Sequence, residues 1–221
     1  MKRFKQLLKE ENGSTTILLV GILFFGVVLI VLFMNFAKIF AVADRGSSAA
    51  EQASLAASDV VYDQIMEDVI EDYSYVCGFD GDADIICYLE DDYLVKRASL
   101  DDGTLSAGEL KKRAIDEVLI EKIPGRNDLK RDIRQALNTA KNEIRATVRN
   151  VINANKGEAA GSKIILFNDK NRIEVRSKAT FESIDTEVIP SIEEDIGKIG
   201  MGVEIPFIDY ISWSSDSITL H

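Results

Sequence analysis

Cys77 and Cys87 are the only cysteines in this 221-residue chain, and they bracket the acidic stretch Gly78-Phe79-Asp80-Gly81-Asp82-Ala83-Asp84-Ile85-Ile86. Two thiols can form a disulfide, hold a metal or run redox exchange, and spacing helps to separate these uses. Redox pairs and zinc knuckles use a C-x-x-C spacing that is absent here, and the single histidine, His221, stands far along the chain. An even pair at this separation in an exported domain most simply forms a structural disulfide. Its short loop makes it worth about 2–3 kcal/mol in the chain-entropy account. The same stretch spells Asp80-x-Asp82-x-Asp84, which opens like an EF-hand calcium loop. Ile85 then stands where a glycine must make the sharp turn, and Asp91 stands where a bidentate glutamate belongs. A solvated acidic turn with no bound metal is the expectation.

The sequence offers no catalytic constellation. A chain with one histidine has no convincing Ser–His or Cys–His pair, and HExxH, GxSxG, GxxxxGK[ST] and GxGxxG are all absent. Among 37 carboxylates, adjacency in sequence says little about paired acid–base chemistry. No catalytic, cofactor-binding or metal-binding residue is assigned, no cofactor is expected, and the chain does not read as an enzyme.

Whatever the cysteines and carboxylates do is set by an element ahead of them. Ile17 to Phe33 is free of charge, and Met34 to Ala37 extends it before Lys38 interrupts. At 1.5 Å per residue, Thr15 to Ala37 covers about 34 Å, enough for the roughly 30 Å hydrocarbon core of a bilayer. A helix apolar on every side has no face to show to water. Lys2, Arg3, Lys5 and Lys9 precede it and only Lys38 and Arg45 closely follow. That asymmetry predicts a cytoplasmic N-terminus and an exported C-terminal part. The expected organisation is a basic cytoplasmic head over 1–14, a transmembrane helix over 15–37 and an exported acidic domain over 38–221, in the cell membrane as a single-pass protein. Residues 39–221 hold 21 basic and 35 acidic side chains, a net charge of −14. Such a domain suits no nucleic acid and no anionic lipid surface. An A-x-A triplet at Ala41-Val42-Ala43 could serve a signal peptidase, but the apolar run exceeds a signal-peptide core, so a retained anchor is expected.

Beyond the span, an alanine-rich stretch from Ala49 to Ala57 continues the helix, with Gly46 as its weak point. Leu55, Tyr62, Met66, Val69, Tyr73 and Val76 recur at helical spacing and predict one apolar face. Ser106-x-x-Glu109 is a capping box that starts a helix near Ala107, ended by Pro124-Gly125. A longer helix is predicted from Asp128 to Asn155, with Gly157 suited to its C-terminal cap. Its basic residues, among them Arg126, Arg134, Lys141, Arg145 and Arg149, suit either pairing with the acidic first helix or docking of an acidic partner. After a small-residue linker over Glu158 to Ser162, the period becomes two. Lys163–Phe167 and Arg172–Ile184 read as a hairpin, with Ile173, Val175, Ala179 and Phe181 facing a core and Arg172, Glu174, Arg176, Lys178 and Glu182 facing water. Val203–Ile208 and Ile211–Leu220 add a third and a fourth strand. The fold class is α+β: a transmembrane helix continuing into an amphipathic helix, two further helices, and a small antiparallel β-sheet.

Gly13-Ser14-Thr15-Thr16 leads from the basic head into the apolar helix, and Ala49-Ala50-Glu51-Gln52-Ala53-Ser54-Leu55-Ala56-Ala57-Ser58 follows it. This resembles the TadE/TadG-like proteins of Flp-type (tight adherence) pilus systems. Members begin with an R-G-S/A-x-x-V/I pattern, then the span, then a tract of the type A-A-D-A-A-A-L-A-A-A. They also carry late strands like Ser217–Leu220. The resemblance covers roughly the first sixty residues closely and the rest, pilin-like, in outline. It implies Gly13 and Ser14 as a processing site for a prepilin peptidase and other pilus or secretion-system membrane components as partners. TadE-type pseudopilins carry a glutamate five residues past the cut, where this chain has Leu18. The expectation is therefore an uncleaved, divergent, TadG-like accessory component rather than a pseudopilin. A membrane-anchored extracytoplasmic sensor or ligand-binding domain is the alternative.

Overall fold

The computed structural model describes residues 11–81, 83–182 and 193–220. The cationic head (Lys2, Arg3, Lys5, Lys9), Asp82, the side chains of Ala179 and Phe181, and His221 lie outside the described residues. The chain divides into two compact units, residues 1–44 with 180–195 and residues 45–179 with 196–221.

The first unit holds the N-terminal part of helix α1 (Glu11–Ile65). Among the described residues this is the one helix long and apolar enough to cross a membrane, and none of its apolar window is buried within the protein. Phe24 is 72% and Phe33 69% exposed, levels that large aromatic side chains avoid in water. Length and composition are those of a single-pass anchor.

In the second unit α1 runs from Arg45 to Ile65 and ends in a π-helical turn, Met66–Ile70. A hairpin follows, β1 (Ser74–Asp80) and β2 (Ala83–Tyr88), and then helices α2 (Leu89–Leu100), α3 (Ala107–Lys122) and α4 (Asn127–Ala154). Strands β3 (Glu158–Leu166), β4 (Arg172–Glu182), β5 (Glu193–Glu204) and β6 (Asp216–Thr219) form a sheet ordered β5-β4-β3-β6, with a 3-10 turn at Pro206–Tyr210. The β3–β4 and β3–β6 pairs are antiparallel. The architecture is α+β, as expected.

Local chemistry explains the element ends. Ser106 accepts from the Glu109 N–H while the Glu109 carboxylate accepts from the Ser106 N–H, so both halves of the capping box form. Gly125, at φ 82°, takes the left-handed turn after α3 that a Cβ would strain. The Asn168 carboxamide oxygen accepts from the Lys170 and Arg172 N–H groups, which closes the β3–β4 turn.

Several expectations need correction. The helix passes unbroken through Gly46, whose carbonyl accepts from the Ser177 hydroxyl at 3.5 Å. Three helices follow α1, not two, because Leu89–Leu100 is helical. Of the predicted amphipathic face, Tyr62, Val69 and Tyr73 are buried and Met66 packs against the core, but Leu55 and Val76 at its two ends are exposed and Val76 lies in β1. Ahead of Val61, Tyr62 and Ile65, the buried face of α1 is made of small residues, Ala49, Ala50, Ala53, Ser54, Ala57 and Ser58. Glu158 to Ser162 is the start of β3 rather than a linker, with a register irregularity between Glu158 and Lys163. Glu174, expected to face water, is buried and satisfied by Asn168 and Arg176. The third strand starts at Glu193, and Pro206–Tyr210 is a 3-10 turn. Lys156, not Gly157, takes the left-handed backbone after α4. Gly157 is there for space, since an added Cβ would stand 2.9 Å from Ile152 Cγ2.

The small-residue face has a reason in packing. A Cβ on Gly200 would overlap the backbone of Ala50 and Glu51, and one on Gly202 would stand 2.7 Å from the Ser54 carbonyl oxygen and overlap Ser58 Oγ. Strand β5 thus lies flush against α1 because neither side carries bulk there. The buried Ser54 and Ser58 hydroxyls stay satisfied by donating to the Glu51 and Ser54 carbonyls at 2.8 and 2.9 Å.

Candidate functional site

The predicted disulfide is present. Cys77 and Cys87 are bonded, with Cα atoms 5.8 Å apart. What they clasp is a hairpin rather than an open acidic turn: Val76 pairs with Ile86, Gly78 with Ile85 and Asp80 with Ala83, with a bulge at Cys77. Gly81, at φ 66°, takes left-handed backbone directly after β1. A two-stranded hairpin alone is marginal in water, which gives the covalent clasp a purpose. Among the described residues no group of three or more His, Cys, Asp or Glu converges as a metal site, and Asp82 lies outside them. Gly13 and Ser14 sit in the first turns of α1.

The hairpin is held at its base by a polar aromatic cluster. Tyr75 donates to Asp92 at 2.5 Å, and Lys122 donates to the Tyr75 oxygen at 2.6 Å and pairs with Asp92 at 2.8 Å. Arg126 lies 4.5 Å from the Tyr75 ring centre, and Tyr73 stacks on Tyr75 while donating to Asp128 at 2.8 Å. Burial alone would raise the Asp92 carboxyl, but the hydrogen bonds from Lys122 and Tyr75 outweigh it and hold Asp92 below its usual range. The hydrogen bond from Tyr73 likewise lowers Asp128.

A second polar pair, the buried Tyr62 and the half-buried Asp116, lies between α1 and α3. Tyr62 donates to both Asp116 oxygens at 3.0 and 2.9 Å, with Phe207 edge-on at 6.3 Å. Burial pushes Asp116 up to about 7; the Tyr62 hydrogen bond opposes this, Glu117 and Glu204 add to it, and Lys112 opposes it. Burial also raises the Tyr62 phenol, and the Asp116 charge adds to it. Its two hydrogen bonds join α1 to α3. The acidic face of α1 is answered here: Lys111 pairs with Asp63 at 2.5 Å and Lys112 pairs with Asp59. The expectation that the longer basic helix does this is corrected, because these lysines belong to α3.

The basic face of α4 turns to the other end of the sheet. Lys141 pairs with Asp216 at 2.8 Å and lies 5.3 Å from the Trp213 ring centre, and Arg134 donates to the Ile211 carbonyl. Lys141, Arg145 and Arg149 line a groove of about 620 Å³ whose opposite wall is β6. Neither this groove nor the hairpin was assigned as a site from sequence. The signals were a Gly-Asp pair between two apolar runs and the periodic cations of α4.

Comparison of the chain with protein-family models, with curated proteins and with solved structures finds no match.

Proposed function

We propose that this protein is a membrane-anchored, non-catalytic accessory component of a Flp-type pilus or a related assembly system, a divergent TadE/TadG-like protein. Its N-terminus is cytoplasmic and its disulfide-bearing domain is extracytoplasmic. The observation that carries the reading is the exposed apolar helix, Ile17–Phe33, leading without interruption into a folded domain clasped by Cys77–Cys87. A disulfide persists in oxidising compartments, so it supports export. Four cations ahead of the span oppose passage of the head through hydrocarbon. Leu18, where cleaved pseudopilins carry glutamate, supports a retained head.

Two readouts test this. N-terminal sequencing of protein extracted from its native membrane should read through Lys2 and Arg3, and a chain starting at Ser14 would make it a cleaved pseudopilin instead. Deletion of the protein should lower the number of surface pili while the pilus subunit is still made, and unchanged piliation would refute the assembly role.

A further inference from the structure

The β1–β2 hairpin carries an exposed apolar face. Val76 pairs with Ile86 and Phe79 with Asp84, and the extra residue at the Cys77 bulge turns Phe79 to the same side as Val76. Tyr88, two residues beyond Ile86, joins them, while Tyr75 points the other way, into its cluster with Asp92 and Lys122. Val76, Phe79, Ile86 and Tyr88 are 45%, 74%, 50% and 54% exposed. Beside this face lies a cleft of about 350 Å³, lined by Val76 and Ile86 from the hairpin and by Gly125, Arg126 and Asp128 from the turn into α4. Arg126 is engaged with the Lys122 carbonyl and the Tyr75 ring, and Asp128 with the Tyr73 hydroxyl. What the cleft offers is therefore apolar wall, not free charge.

Two further features say what covers this face. As a two-stranded sheet the hairpin has two outer edges. Among the described residues its backbone is bonded to the rest of the unit only at the base, where the Leu89 N–H donates to the Tyr73 carbonyl. Ser74 to Val95 also holds six carboxylates and no cation. Lys122 answers Asp92, whereas Asp80, Asp84, Glu90 and Asp91 are exposed and join no ion pair among the described residues. The hairpin of a second copy would set acid against acid, and an anionic lipid surface is repelled in the same way. An apolar face ringed by unanswered acid selects a basic protein.

We propose that the hairpin docks an extended, basic segment of a different protein, which adds a strand to its open edge. Apolar side chains of that segment cover Val76, Phe79, Ile86 and Tyr88, one of them fills the cleft beside the turn into α4, and its cations meet Asp80 and Asp84. The disulfide holds the ribbon in shape before the partner arrives, which lowers the ordering cost of docking. The inference goes beyond the anchor and assembly reading and does not depend on it.

The probe is a dye-labelled peptide alternating valine with lysine over about ten residues, titrated with the full chain in detergent and followed by fluorescence anisotropy. It should bind saturably, at least about tenfold more tightly than a serine–lysine peptide, and a valine–glutamate peptide should not bind. Val76→Ser with Ile86→Ser should weaken binding at least about tenfold. Asp80→Asn with Asp84→Asn should weaken it at least about fivefold and reduce its salt dependence. All four side chains are exposed, and unchanged circular dichroism with an intact disulfide verifies the fold of each variant. Glu143→Gln with Asp169→Asn, which removes two exposed acids elsewhere, should stay within about twofold of wild type. Absence of binding to wild type would overturn the proposal. So would equal binding by all variants, which would make the contact one with the detergent micelle, or an equal loss in the Glu143 and Asp169 variant, which would make it one of net charge. A Phe79→Trp emission component, absent from wild type and shifted to the blue in phosphatidylcholine vesicles without peptide, would make the face a lipid contact and overturn it too.

Discussion

Asp116 is the side chain whose protonation the fold disturbs most plainly. Its folded carboxyl titrates near 7 because burial between α1 and α3 penalises the charge, while an unfolded aspartate titrates near 3.9. Between those values the native state holds a proton that the unfolded chain has already released. Stability therefore falls as pH rises through this window and levels off above about 7. Unfolding of the full chain in detergent, followed by fluorescence of the single tryptophan, Trp213, should show this. From about pH 5 to about pH 8, wild type should lose on the order of 2–4 kcal/mol more than Asp116→Asn does. Equal pH dependence in the two proteins would show that Asp116 is charged throughout. Asp92, Asp128 and Asp216 are depressed, so their contributions vanish only at more acid pH and do not enter this window. Nothing in the sequence could have located the pair, since Tyr62 and Asp116 lie 54 residues apart and meet only because α3 crosses α1. The cysteine bridge was legible because it needs only two thiols and a compartment.

At the scale of elements, the contact between α1 and β5 makes the sharpest demand on sequence. Gly200→Ala should destabilise the protein by about 1–3 kcal/mol, because the new methyl meets backbone that cannot rotate away. Gly197→Ala, in the same strand with open space around it, should stay within about 0.5 kcal/mol. Equal effects in thermal melts would mean that β5 does not lie flush on the helix. This contact also explains which elements could be read in advance. Helices α3 and α4 were legible because a capping box and an unbroken apolar stripe from Leu129 to Val151 are local signals. Helix α2 was not, since Leu94 and Val95 point to solvent and blur its period. The face through Tyr62 and Val69 was read correctly, but its N-terminal part was missed at Leu55 because periodicity was sought in large side chains, whereas close packing there requires small ones. The tract that carries the TadE/TadG-like resemblance is thus also the seat of a strand, a use its composition alone did not disclose.

At the scale of the whole molecule, the account rests on one division of labour. In the proposed arrangement an apolar helix anchors the protein in a bilayer, and an acidic, disulfide-clasped domain lies on the far side. The helix was the most legible element, because seventeen uncharged residues from Ile17 to Phe33 admit few other environments. The hairpin and the groove were the least legible, because each joins residues that are ordinary in their own segments. For the proposed topology, the cationic flanks in the sequence favour a cytoplasmic N-terminus, and the disulfide favours an oxidising compartment for the domain. The direct measurement is protease digestion of sealed, right-side-out membrane vesicles containing the full chain. The account predicts that the domain after Lys38 is digested while a short fragment holding the span stays with the membrane. Full protection of the domain, with digestion only after the vesicles are opened, would place it in the cytoplasm and contradict the account.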